Sequence, residues 1–355
     1  MFGRLRLIFA GWWGLARAWM VVLGLLGVAG VTLQILGPPM SHAPKAEVKP
    51  TPTAHPAPEP RPVVAEQRPA AALPQDRPGR DAPGAVADPD PGLLESNPAA
   101  RGDMLPRISS DGRMPMQVYA APFDRETKRA RVGLIVAGIG MNEADSIAAA
   151  RTLPSGVTFA VSPYAEHFQK SLSAARIAGH EYLISLPMEP EGFPLNDPGI
   201  RALMTNQPPA QNLEQLNWVL SRIGGYVGVT NILGPMRGER FSLMTDQMDA
   251  VLSVLRSRGL LYVDARLGQA RSKVAWSVSV DLVVDEPASR EALDARLEEL
   301  SRLAKDRGSA LGMATAPRPM TLERIAAWTN SLNNGGLVLA PVTALVESPA
   351  GGTKN

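Results

Sequence analysis

From residue 132 to residue 340 the chain alternates short apolar runs with amphipathic stretches, and no other feature constrains the fold as strongly. The runs at 132–136, 157–162, 181–186, 226–229, 260–264, 280–284, 310–313 and 337–340 read as strands. Helical spacing appears between them at 143–152, 166–178, 213–223, 245–258, 289–306 and 321–332. The fifth helix is the clearest. Leu293, Leu297, Leu300 and Ala304 form one stripe, Glu298 and Arg302 sit one turn apart, and Gly308 follows the end. Strands apolar on both faces and separated by helices predict an α/β domain with a parallel sheet, open or closed into a barrel. In either arrangement ligands meet the carboxyl ends of the strands.

The chain before this block has a different character. Residues 18–36 carry no charge, and a helix of that length covers about 28 Å, close to the hydrocarbon thickness of a bilayer. Arg4, Arg6 and Arg17 precede it, and the first acid is Glu47. The positive-inside rule then predicts a cytoplasmic basic tail at 1–17, a transmembrane helix or signal anchor at 18–36, and the rest of the chain outside. The competing reading is a secretory signal cleaved near Ser41-His42-Ala43. Residues 37–106 hold about half of the prolines, mixed with Ala, Glu, Arg and Asp, and predict a disordered spacer. The expected organisation continues with a Pro/Ala-rich linker at 37–116, a folded domain at 117–347 and a flexible C-terminus at 348–355.

Composition excludes several functions. The formal charge of +2 gives no electrostatic support to a nucleic-acid partner. There is no cysteine, hence no thiolate nucleophile or metal site, and His42, His55, His167 and His180 are the only histidines. The turn at 137–142, AGIGMN, lacks the third glycine of a dinucleotide fingerprint, and no acid ends the second strand.

The strand ends supply the candidates. Ala137 and Gly138 follow the first strand, Ser162-Pro163-Tyr164 the second, and Ser185 through Glu189 the third. Asn231 and Ile232 follow the fourth, Asp264-Ala265-Arg266 end the fifth, Asp285 follows the sixth and Ala316 the seventh. A Ser185–His180–Asp264 triad is disfavoured, because residues five apart on one strand face opposite ways. His180 reads as paired with backbone, and His167 as solvated. Glu189, Asp264 and Asp285 are candidates for an oxygen-ligand metal site. Asp264 with Arg266 reads more simply as a rim ion pair, with sugar-hydroxyl binding as its functional alternative. Glu189 divides between a structural role and ligand contact, Asn231 braces its loop, and Tyr164 and Trp276 are core aromatics or sugar platforms.

The ordered motifs VAGIG (136–140), FAVSPYA (159–165), AGHEYLISLPMEP (178–190), GVTNILG (228–234), YVDAR (262–266) and APRPMTL (316–322) carry a resemblance. Together they resemble the divergent polysaccharide deacetylase family, distant relatives of metal-dependent carbohydrate N-deacetylases. The resemblance implies a distorted (β/α) barrel in which a metal-bound water, a carboxylate base and a histidine acid cleave an acetamide. It also implies aspartates where this chain has Ala137 and Gly138, and histidines at Ile232 and Ala316. The His or Gln common before LPMEP is Ser185 here.

The expectation is therefore a single-pass inner-membrane protein with its C-terminal domain in the periplasm, or one secreted there after cleavage. The domain is expected to bind a cell-envelope glycan or an envelope protein, with Glu189, Asn231, Asp264, Arg266, Tyr164 and Ser185 as ligand contacts. No cofactor is expected. The alternative is an active N-deacetylase with a divalent metal, Zn²⁺, at a rearranged site around Glu189 and Asp264. A third class is a scaffold that recruits partners through its spacer.

Overall fold

The structure is a computed structural model, and it describes residues 84–349. The expected basic tail, membrane helix, cleavage site and residues 37–83 of the linker lie outside the described residues, as does the end of the chain from 350. Among the described residues no helix is long and apolar enough to cross a membrane.

A short hairpin, β1 (Leu94–Ser96) and β2 (Met104–Pro106), leads through α1 (Pro115–Val118) into the main sheet. There β3 (Ala130–Ile139), α2 (Glu143–Thr152), β4 (Val157–Val161), α3 (Gln169–Ile177), β5 (Tyr182–Ser185) and α4 (Pro209–Ser221) follow in order. Next come β6 (Gly228–Thr230), α5 (Thr245–Ser257), β7 (Leu261–Asp264), β8 (Ser277–Ser279) and β9 (Leu282–Val283). The domain ends with α6 (Arg290–Arg307), β10 (Ser309–Ala314), α7 (Pro319–Ser331) and β11 (Leu337–Leu339). The strand order is β8-β7-β6-β5-β4-β3-β10-β9, with β11 also on β3, and every pair in this sheet is parallel.

The sheet is curled, and one run of chain joins its two edges. Ser277 to Ser279 pair with Tyr262 to Asp264, and the Val280 N–H still donates to Asp264 O. The next residue, Asp281, donates to Leu311 O, and Leu282-Val283 pair with Gly312-Met313. The single strand expected at 280–284 is therefore divided, because the run changes partners midway. The result is a curled parallel half-barrel, the coarse form of the (β/α) barrel expected from the sequence.

Alternation along the strands produces two apolar layers. Ile135, Ala160, Leu183, Val263, Leu311 and Met313 fill the inside of the curl. Residues adjacent to them in the chain face outward: Leu134, Val136, Phe159 and Ile184 pack against Leu216, Leu255, Leu297 and Ile325 of the helices. The clear helix of the sequence is α6, with Ser289 as its N-cap; the Ser289 hydroxyl accepts from Ala292 N at 3.2 Å. It ends on Gly308 at φ 82°, the left-handed cap that glycine favours. Its approach to the sheet needs Gly312, where a Cβ would lie 2.5 Å from Leu300 Cδ2.

The linker expectation is corrected over 84–116, which packs on the domain. Leu93 and Leu105 are both 0% exposed. Val86 N donates to Arg176 O, and Arg107 N to Leu93 O. Arg258 holds the hairpin from the other side, donating to Glu95 Oε1 at 2.7 Å and to Pro106 O at 2.8 Å. Mean composition hid this, because two well-spaced leucines anchor a segment that is otherwise polar and proline-rich. Pro91 and Pro115 open short helical turns, positions where a missing N–H costs nothing.

Candidate functional site

At the carboxyl end of β3 the ladder to β4 slips between Val136 and Ile139, and Gly138 takes φ 75° within the slip. A side chain at Gly138 would point at the segment following β10. Its Cβ would lie 3.6 Å from Thr315 O, 3.7 Å from Ala316 Cα and 3.5 Å from Pro317 Cδ. Positions 138 and 316 are thus direct neighbours across the β3–β10 pair. Ala137 and Ile232 are each 1% exposed and belong to the apolar cluster inside the curl. None of these four side chains carries a nitrogen, oxygen or sulfur atom.

The buried acids lie around this point, each with its own partners. Glu189, 3% exposed, accepts from Thr205 N at 2.7 Å and Thr205 Oγ1 at 2.6 Å, and pairs with Arg240 at 2.9 Å. Asp285, 1% exposed, accepts from the backbone N–H and the hydroxyl of Thr315, with Arg318 at 3.5 Å. Asp264 takes a two-pronged contact from Arg266, Nε at 3.0 Å and Nη2 at 2.7 Å. Asn231 stands behind that pair, accepting from Ala265 N at 2.7 Å and donating to Arg237 O and to Asp264 Oδ1. The ion-pair reading of Asp264 and the bracing reading of Asn231 both describe these contacts. Convergence of Glu189, Asp264 and Asp285 is corrected: among the described residues no group of three or more His, Asp or Glu side chains is placed to hold a metal ion. Each carboxylate is drawn instead to separate donors: Glu189 to Thr205 and Arg240, Asp264 to Arg266, and Asp285 to Thr315 and Arg318.

The other candidates separate. Ser185 is buried at the end of β5, in register with Thr230. His180 stacks on Phe159 at 4.2 Å, with Nδ1 2.8 Å from Val157 O and Nε2 3.3 Å from Ala150 O. Burial lowers its pKa, and it takes no part in a triad. Tyr164 donates to Pro198 O at 2.9 Å beside Trp218, and Trp276 packs on the inner apolar cluster. His167 is exposed.

Sequence reasoning missed Glu181, which is 0% exposed at the opposite end of the curl from these loops. Oε1 accepts from Thr158 Oγ1 and Thr343 N, and Oε2 from Ala121 N and Thr343 Oγ1. Burial nevertheless pushes its carboxyl above the ordinary 4.5. It ties the segments before β3 and after β11 to the sheet. The only available signal was an acid at the head of an apolar run.

Apolar side chains stand in solvent around the strand ends. Met141, Leu195, Ile200, Leu243 and Leu267 are 47% to 95% exposed, and they lie on the loops after β3, β5, β6 and β7.

Comparison with known proteins agrees with this architecture. The crystal structure of an uncharacterized protein from Agrobacterium tumefaciens C58 is similar, at 28% identity and a TM-score of 0.63, covering 68% of this chain and 99% of that one. A family 4 carbohydrate esterase from Streptomyces lividans, in complex with acetate, is more distant. It has 15% identity and a TM-score of 0.40, covering 61% of this chain and 95% of that one. No curated protein matches. The family model described as divergent polysaccharide deacetylase matches residues 134–346, more than half of the chain. The chain belongs to the divergent polysaccharide deacetylase family.

Proposed function

We propose that this chain is a membrane-held envelope protein whose deacetylase-like domain recognises a cell-envelope glycan or an envelope protein, and does not hydrolyse acetamides through a metal. The observation that carries this reading is the contact between positions 138 and 316, where neither residue has a ligating atom. A hydrolytic cation needs several oxygen or nitrogen ligands together with an open position. A methyl, a hydrogen and a branched alkyl group supply none. Turning Glu189 or Asp285 toward a cation would strip Thr205 or Thr315 of the acceptor for a backbone N–H. The donor set does not fit the metal that the family implies.

The apolar rim of Met141, Leu195, Ile200, Leu243 and Leu267 supports an interaction role at the same end of the barrel. The charge-free 18–36 segment, with arginines before it, supports a cytoplasmic N-terminus and a periplasmic domain.

The test is metal content and Zn²⁺, Mn²⁺ and Mg²⁺ affinity of the purified full-length chain, alongside acetate release from N-acetylated glycans. The expected result is no stoichiometric metal and no acetate release, with glycan or partner binding intact. One metal per chain, lost together with acetate release on Glu189→Ala, would establish the rearranged-site deacetylase instead.

A further inference from the structure

Between β5 and α4 the chain from Glu189 to Ala202 forms a closed loop. Glu189 N donates to Leu203 O at 2.8 Å and Leu203 N to Pro187 O at 3.0 Å, so the two ends meet where Met188 pairs with Leu203. Compact surface loops with adjoining ends are frequently functional. Polar contacts hold the shape of this one. Asn196 Nδ2 donates to Glu191 O at 3.0 Å, Gly199 N to Asp197 Oδ1 at 2.8 Å, and the Tyr164 hydroxyl to Pro198 O at 2.9 Å. Glu191 N donates to Glu239 Oε2, which fastens the loop to the one that follows β6.

The shape so held presents aliphatic side chains to solvent. Leu195 is 95% exposed and Ile200 89%, and Leu243 on the adjoining loop is 76% exposed. Side chains this exposed add almost nothing to the core. A partner that covers them meets a loop already ordered by its own hydrogen bonds, so little conformational freedom is lost on binding.

Charge selects the partner. Glu191 and Asp197 stand exposed on either side of Leu195, with the half-buried Glu239 beside Glu191. Of the acids on these two loops only Glu189 is in an ion pair among the described residues, and its partner is Arg240. The remaining cations are engaged: Arg237 pairs with Glu286, and Arg201 lies over Trp218, 5.1 Å from the ring centroid. An anionic bilayer would repel such a surface, and a second copy set symmetrically against it would bring the same acids together. Leucine and isoleucine offer no hydrogen-bonding atom to the hydroxyls of a sugar. We infer that this loop docks a basic amphipathic helix of another protein. The apolar stripe of that helix covers Leu195, Ile200 and Leu243, and its Lys or Arg side chains meet Glu191, Asp197 and Glu239. The inference rests on the recognition role proposed above and chooses protein over glycan.

The experiment is fluorescence anisotropy of the purified full-length chain with labelled model helices of about 18 residues, long enough to be helical. One is built of Leu and Lys, one of Leu and Glu with the same apolar stripe, and one of Ser and Lys without a stripe. Saturable one-to-one binding of the Leu/Lys helix alone is expected. Leu195→Ser combined with Ile200→Ser should weaken it by about tenfold or more, and Glu191→Gln by about threefold. The melting temperature of these variants should match the parent, since all three side chains are exposed. The assignment is overturned by no saturation at about 1 mM, by equal binding of either control helix, or by an affinity that the double substitution leaves unchanged. Loss of N-acetylglucosamine oligomer binding on the double substitution would overturn it too, by giving the loop to a glycan. Metal content and acetate release on the same preparation keep the two readings apart. A metal-bearing, acetate-releasing chain that binds the helix refutes the proposed function alone, and a metal-free chain that ignores the helix refutes this inference alone.

Discussion

Thr343→Val isolates the buried contact that closes the far end of the barrel. The substitution keeps the shape of the side chain and removes one donor, the hydroxyl 2.6 Å from Glu181 Oε2. Hydrogen bonds to a charged, desolvated partner contribute about 1.5–3 kcal/mol, roughly twice a neutral bond. A loss near ~2 kcal/mol at pH 8 is expected, which lowers a urea midpoint by about 0.7 M if the slope is near ~3 kcal/mol/M. The pH dependence tests the cause. Burial raises the folded pKa of Glu181 above 4.5, so its contribution to stability is complete below that value and is lost as pH rises through the folded pKa. The hydroxyl favours the carboxylate over the acid, and its removal raises the folded pKa further. The deficit of the variant should therefore grow from pH 4 to pH 8. Urea melts across that range measure it; a deficit under about 0.5 kcal/mol, or one independent of pH, would refute the account of a strained but saturated carboxylate.

Two further predictions concern the frame. Leu105→Ala should destabilise the domain by about 2–5 kcal/mol, the usual cost of emptying a fully buried leucine site; chemical denaturation measures it, and a change under ~1 kcal/mol would return 84–116 to the linker. Gly228→Ala should cost about 3 kcal/mol or prevent folding, since its Cβ would lie 2.3 Å from the Leu261 carbonyl oxygen on the adjacent strand. Soluble yield and the thermal midpoint report it, and a melt matching the parent would disprove the close approach.

Much of the barrel was legible because its signals are local. The α2 helix begins and ends where spacing put it, at Glu143 and Thr152, since Asn142 caps its first turn and Leu153 leaves helical geometry. Strand ends were less exact, since β3 runs on to Ile139 past the expected 136 and the run at 280–284 is divided, but they were close enough to place Glu189, Asp264 and Asp285 at the carboxyl ends. Their partners were not legible. Glu189 is held by Thr205 and Arg240, and Asp285 by Thr315, and neither contact has a sequence spacing that marks it. Glu181 shows the same limit over a longer range, because its donors come from residues 121, 158 and 343.

The retained acids bear on why a barrel without family ligands remains well packed. A metal site keeps charged side chains near one another and desolvated, an arrangement that destabilises a fold unless the cation is bound. Here the inward-facing positions Ala137 and Ile232 add apolar contact to the inner cluster instead. Every buried carboxylate around the strand ends has at least two donors of its own. These carboxylates are thus satisfied by protein donors, and on the proposed reading a single added ligand would not create a metal site. An aspartate at position 138 would meet a residue conformation at φ 75° that disfavours it, and would face an alanine at 316. On the proposed reading a metal-held hydrolytic centre would require several coordinated changes, whereas recognition at the apolar rim would require none.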